Sequence, residues 1–132
     1  MKKRVGVLGV AVVMGCLGAV SLFASGSLDG KTFTGTIAPK GQTEGKADSF
    51  VFQNGQFEST LCGTFGYGKG VYQSQPKPEG MEFTAETASN TGGRMQWKGL
   101  VKGAVIEGTA LSMENGQTTE QRFKGTLQTK KN

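Results

Sequence analysis

The sequence predicts an all-β domain, a single eight-stranded antiparallel up-and-down barrel, behind an N-terminal export segment. Three observations predict this fold. Apolar and polar residues alternate with a period of two from residue 31 onward, as in strands that bury one face. Turn signals recur about every ten residues. Glycine accounts for 22 of the 132 residues, far above the average of about 7%.

The first four strands are predicted at 31–37, 48–53, 56–62 and 64–73. Phe33 and Ile37 share one face of the first strand, and Phe50 and Phe52 share one face of the second. Asn54-Gly55 then favours a type I′ hairpin, because both central residues of that turn need a positive φ. The fourth segment is rich in glycine, so we expect a bent or bulged strand there.

The last four strands are predicted at 81–88, 94–101, 104–113 and 119–127. A proline-containing loop is predicted before them, at residues 75–80. In the fifth strand Phe83 alternates with Glu82 and Glu86, which places the ring inward and the carboxylates in solvent. Asn115-Gly116 is the second type I′ signal. No helix is predicted after residue 31.

Four strands share a short pattern in which a glycine lies between two apolar positions. The glycines are Gly35, Gly99, Gly108 and Gly125. Glycine weakens a strand unless it permits sharp coiling or a close backbone approach, and closing a small barrel requires such coiling. An even number of strands also lets the first and last strands pair, which removes the sheet edges. The alternative is a two-sheet β-sandwich with the glycines at its corners.

Residues 1–26 have the three-part pattern of a secretory signal peptide. A basic start at residues 2–4 is followed by an uncharged, mostly apolar run and by the small residues Ala24-Ser25-Gly26. We expect cleavage after Gly26, which leaves the barrel domain of residues 27–132 in the periplasm or secreted. Two alternatives keep the chain on the membrane: lipidation of Cys16, which ends a lipobox-like Val13-Met14-Gly15-Cys16, or an uncleaved helix of about 20 residues.

Composition excludes several classes of function. The chain has no His and two Cys, which rules out a Ser-His-Asp triad, an imidazole metal site and a Cys₄ zinc site. The net charge of +5 falls to +2 without the signal segment, since 12 basic and 10 acidic residues remain. No basic stripe is left, so we expect no nucleic-acid binding. We also expect no enzymatic activity, no cofactor and no metal.

Several segments resemble known small barrels. Residues 28–35 resemble the first strand of lipocalin-like, calycin-type barrels. Together with residues 59–62, the glycine-aromatic stretch to Tyr72, and residues 95–99 and 123–127, they resemble a family of small exported bacterial proteins of unknown function with such a barrel. Lipocalins carry Gly-x-Trp in the first strand, whereas Phe33 stands here and the single Trp97 comes late. Relatives with calycin-type barrels also include streptavidin-type binders and protease inhibitors, so the resemblance implies a fold and not one activity.

Aromatic side chains are the candidates for a binding function. Six of them could line a cavity in the barrel and hold a small hydrophobic or lipid-like ligand: Phe50, Phe52, Tyr67, Tyr72, Phe83 and Trp97. In the alternative, these residues fill the interior. The barrel would then be a packed structural or protein-interaction module of the cell envelope without a small ligand. In both cases we expect a monomer that meets the membrane only through its signal segment or a lipid anchor.

Other reactive groups have simpler structural explanations. Cys62, the only thiol after cleavage, fits a small buried residue at a strand end, because no His is available to activate it. Glu82 and Glu86 could act as a carboxylate pair, but their alternation is typical of a solvated strand face. Residues 66–70 lack the Gly-Lys-Ser/Thr ending of a phosphate-binding loop.

Overall fold

The computed structural model describes residues 26–129, which form a closed barrel of eight antiparallel strands in sequential order. The strands are β1 (Thr32–Pro39), β2 (Lys46–Gln53), β3 (Gln56–Ser59), β4 (Gly70–Lys77), β5 (Gly80–Ala88), β6 (Arg94–Lys102), β7 (Val105–Glu114) and β8 (Gln117–Leu127). Each strand pairs with the next, and β8 closes the barrel against β1. The predicted eight-stranded barrel is therefore confirmed, and the sandwich alternative is not the fold.

A short helix and a loop connect β3 to β4. Helix α1 spans Thr60–Gly63, and the Oγ of Ser59 caps it by accepting from the Cys62 N–H at 3.2 Å. The buried Asp48 carboxylate accepts from the Leu61 N–H at 2.9 Å and from the Ser59 hydroxyl at 2.5 Å. The prediction of strands at 56–62 and 64–73 is wrong for residues 60–69, because the Ser59 hydroxyl stabilises a helix start there instead of a ladder.

Strand β4 continues through Pro76 and Lys77, so the predicted loop at 75–80 is wrong for its first half. The Tyr72 N–H donates to the Gly55 carbonyl at 3.2 Å, so it points towards β3. Backbone groups alternate along a strand, so the backbone nitrogen of residue 76 points to the same side of β4. Strand β3 pairs with β4 only as far as Gln56 and Val71. Pro76 therefore stands on a free edge, where a missing N–H costs no ladder hydrogen bond.

The repeated glycines meet in two pairs across neighbouring strands. Gly35 of β1 lies opposite Gly125 of β8, and Gly99 of β6 lies opposite Gly108 of β7. A Cβ on Gly35 would collide with the Lys124 carbonyl oxygen, and one on Gly108 would collide with the Lys98 carbonyl oxygen. The backbones approach too closely for any side chain, which is the role that the sequence pattern predicts.

Both predicted Asn-Gly turns are confirmed. Asn54 and Gly55 have φ values of 54° and 74°, and Asn115 and Gly116 have φ values of 53° and 76°. Positive φ at both central residues is the signature of a type I′ hairpin. These turns fix the registers of β2 against β3 and of β7 against β8.

The predicted signal peptide lies outside the described residues except for Gly26, and so does Cys16. Cleavage, lipidation and export therefore stay predictions. Within residues 26–129, no helix combines the length and the apolar character that a membrane crossing needs.

Candidate functional site

Aromatic rings fill the interior of the barrel. Eight of them are at most 3% exposed: Phe33, Phe50, Phe52, Phe57, Tyr72, Phe83, Trp97 and Phe123. Neighbouring rings contact each other in tilted or T-shaped pairs, with centroid distances from 4.9 to 6.4 Å. Such pairs add about 0.5–1.5 kcal/mol each to the gain from burial. The rings therefore stabilise the fold by contacts with one another.

The structure brings five of the six predicted cavity residues together in this cluster: Phe50, Phe52, Tyr72, Phe83 and Trp97. The faces that would contact a ligand lie against other rings. Phe33, Phe57 and Phe123 belong to the same cluster, and their alternation along the strands could have added them to the prediction.

Tyr67 is also buried in the hydrophobic core, at 8% exposed, but its ring takes part in none of the ring–ring contacts of the described residues. It belongs to the loop after α1 and forms an isolated bridge with Ser89. Its hydroxyl donates to the Glu114 carboxylate at 2.8 Å. The predicted strand at residue 67 is wrong, because this residue lies in the loop after α1 with only an isolated bridge, but the side chain of Tyr67 is buried as the inward position predicts.

The polar tips of the buried rings already have partners in the chain. Trp97 Nε1 donates to the Thr87 hydroxyl at 3.1 Å. The Tyr72 hydroxyl accepts from the Leu28 N–H and donates to the Asp29 carboxylate, both at 2.8 Å. Leu28 itself is 3% exposed and belongs to the core. The segment before β1 thus packs against one end of the ring cluster and satisfies the hydroxyl of Tyr72.

Burial and neighbouring carboxylates raise the pKa of both tyrosines. For Tyr67, burial is the main cause, followed by the hydrogen bond to Glu114, and together they raise the pKa to about 12. For Tyr72, burial and then the hydrogen bond to Asp29 raise the pKa far above its ordinary range. Both phenols are therefore held neutral, and each donates to a carboxylate.

We expect neither tyrosine to ionise at the ordinary pKa of about 10. The chain has two Tyr, so tyrosinate absorbance reports on these two alone. A folded-state pKa above the unfolded value means that the neutral phenols stabilise the fold below about pH 10. That contribution is lost as the pH rises towards 12 and beyond. In the variant Tyr67→Phe, the ionisation that occurs at the lower pH should disappear. Ionisation of the native protein near pH 10 would contradict this reading.

Cys62 is half-buried beside a second sulfur. Its Sγ lies 3.6 Å from the Sδ of the buried Met95. Burial raises the pKa of the Cys62 thiol more than the hydrogen bond with Ser59 lowers it, and the charge of Asp48 raises it further. A thiol with a raised pKa is scarcely ionised at neutral pH, so its environment suits packing better than nucleophilic chemistry.

The two outward carboxylates of β5 each form an ion pair with a side chain of β6. Arg94 Nε donates to Glu86 Oε2 at 2.6 Å. Glu82 lies 3.8 Å from the Lys98 ammonium. Among residues 26–129, no cluster of three or more His, Cys, Asp or Glu side chains could hold a metal ion.

A groove of about 1020 Å³ lies on the outer face of the barrel. Two rows of side chains cross its floor from strand to strand. One row is Glu82, Leu100, Glu107, Lys124 and Thr36, and the other is Lys98, Thr109, Arg122 and Ala38. These nine residues define what we call the outer groove. They alternate along their strands with the buried rings and glycines, so they face away from the interior.

A second depression of about 620 Å³ continues the outer groove towards β4. It shares Lys98 and Thr109 with the groove and adds Gln73, Gln96 and Leu111. Val71 lies at its rim and is 64% exposed. The outer face thus offers one concave surface with polar, charged and scattered apolar groups.

Neither a protein-family model, nor a curated protein, nor a solved structure matches this chain. The features of this chain that bear on function are therefore its packed interior and its concave outer face.

Proposed function

We propose that the protein is an exported, non-catalytic binding module that holds a protein partner in the outer groove and carries no small ligand inside. The observation that carries this proposal is that the aromatic surface lies inside the barrel and the concave surface lies outside it. The buried rings contact each other, whereas the concave spaces open on the outer face.

The energetics favour a packed interior over an internal ligand. A small hydrophobic ligand would have to separate rings that now pack at centroid distances near 5 Å. Losing the contacts of one buried Phe costs about 3–5 kcal/mol, while micromolar binding supplies about 8 kcal/mol in total. Displacing two rings would consume the whole binding energy of such a ligand.

The dimensions of the outer groove suit an extended protein segment. It crosses β5, β6, β7, β8 and β1. Five strands at a spacing of about 4.8 Å span about 19 Å, which accommodates roughly six residues of extended chain. Leu100 and Ala38 are half-buried and offer apolar contact, while Thr36 and Thr109 offer hydroxyls. A mixture of apolar and polar groups is typical of protein interfaces.

Site-specific photo-crosslinking tests this function in the cell envelope. A photoreactive phenylalanine would replace Thr109, in the groove, or Thr118, which is exposed on β8 outside both depressions. We expect a defined protein adduct from position 109 and none from position 118. The same adducts from both positions, or an adduct from 118 alone, would contradict the proposal.

A further inference from the structure

Both acidic side chains among the nine residues of the outer groove, Glu82 and Glu107, already have basic partners. The Glu82 carboxylate lies 4.0 Å from the Lys77 ammonium and 3.8 Å from the Lys98 ammonium. The Glu107 carboxylate lies 3.7 Å from the Lys102 ammonium. Lys77, Lys98 and Lys102 are thereby compensated within the chain. Exposed pairs of this kind contribute little to stability, but they decide which charges remain to attract a partner.

Two groove cations are left without an acidic partner. Within residues 26–129, neither Arg122 nor Lys124 forms an ion pair. Both are exposed on the same face of β8. Arg122 and Lys124 belong to different rows of the groove floor. A peptide segment bound between the two rows would therefore have one of these cations on each side. Glu107 is opposite Lys124, but its carboxylate is engaged by Lys102.

We propose that Arg122 and Lys124 bind the carboxylates of an acidic peptide segment of the partner. This inference rests on the proposed function and names the chemistry of its ligand. A guanidinium binds a carboxylate through two parallel hydrogen bonds. The concave wall strengthens the field of both cations by limiting the water around a bound segment. The hydroxyl of Thr109, directly opposite Arg122, can donate or accept a further hydrogen bond with the bound segment.

The lining of the groove favours a peptide over an anionic glycan. Sugar rings are commonly bound by stacking on aromatic faces, but the rings nearest the groove, Phe83 and Phe123, are buried in the interior. Leu100 and Ala38 offer aliphatic contact that peptide side chains can use. Glu79 lies just beyond the nine residues of the outer groove, at the end near β4 and β5, and forms no ion pair within residues 26–129, so the acidic residues of the partner should lie towards β8 and β1.

Binding of poly-L-glutamate to the protein purified after expression of the full chain tests this assignment. The variant Arg122→Gln with Lys124→Gln should weaken the binding about tenfold. The matched control is Lys46→Gln with Lys69→Gln, which removes two exposed positive charges that form no ion pair within residues 26–129 and lie outside both depressions. We expect less than about a twofold effect there. Equal thermal unfolding curves would show that both variants remain folded.

Three results would overturn the assignment. They are no binding of poly-L-glutamate by the unsubstituted protein, equal losses in the two double variants, and tighter binding of inorganic polyphosphate with the same dependence on Arg122 and Lys124. A groove-specific crosslink from Thr109 together with any of these results would leave the proposed function standing and remove only the acidic partner. Absence of that crosslink would count against the proposed function itself.

Discussion

Replacing Gly35 by Ala should destabilise the barrel by about 3 kcal/mol or more, enough to threaten folding altogether. The new Cβ would collide with the Lys124 carbonyl oxygen and lie 2.5 Å from the Gly125 Cα. Both obstacles are backbone, so no side-chain rotation relieves them. The β1–β8 seam, which closes the barrel, would have to separate. Urea unfolding of the variant measures the loss.

Gly68→Ala is the matched control for that substitution. Nothing lies within 4 Å of a Cβ at Gly68, and its φ is not in the left-handed region. We expect a change within about 0.5 kcal/mol, with slight stabilisation from the lower entropy of the unfolded chain. If both variants lose the same stability, the close approach of Gly35 and Gly125 is not what closes the barrel.

Phe52→Ala should cost about 3–5 kcal/mol of unfolding free energy. Phe52 is fully buried, and its ring contacts those of Phe33, Phe57, Tyr72 and Phe83. Removing it takes away burial and leaves a cavity among rings that cannot all move inward. Thermal or denaturant unfolding measures the effect.

Phe65→Ala supplies the comparison for Phe52→Ala. Phe65 is 65% exposed in the loop after α1, so the same truncation should change the stability by less than about 0.5 kcal/mol. A cost below about 1 kcal/mol for Phe52→Ala would mean that the interior rings are loosely packed. That result would favour the small hydrophobic ligand inside the barrel over the packed module.

Local chemistry was enough to predict the barrel and its turns. Alternation places Phe50 and Phe83 inward whatever the neighbouring strands do, and Asn54-Gly55 requires its own backbone conformation. The errors fall where local signals compete. Ser59 fits a strand by periodicity but caps a helix, and Pro76 signals a loop unless its strand has a free edge. The free edge of β4 exists because β3 is short, and the alternation of apolar and polar residues does not show how long β3 is.

The site was less predictable than the fold. Alternation shows that Phe52 and Trp97 face inward, but it does not show whether their rings meet each other or a cavity. That outcome depends on ring distances across the barrel. The outer groove was not predicted at all, because Thr109 and Arg122 become neighbours only once the register of β7 and β8 is known. The repeated glycines were the available signal, since Gly99 and Gly108 line the groove floor from which these side chains rise.

Native mass spectrometry is the most direct test of the claim that the rings themselves fill the interior and that binding occurs outside. The full chain would be expressed in a bacterial host and the exported product kept folded. We predict the mass of residues 27–132 with no added species that leaves on denaturation. Covalent changes, such as an uncleaved segment or a lipid on Cys16, would remain in the mass of the denatured protein, which distinguishes them from a bound ligand. A small molecule released on denaturation would contradict the packed interior and assign the barrel to a hydrophobic or lipid-like ligand.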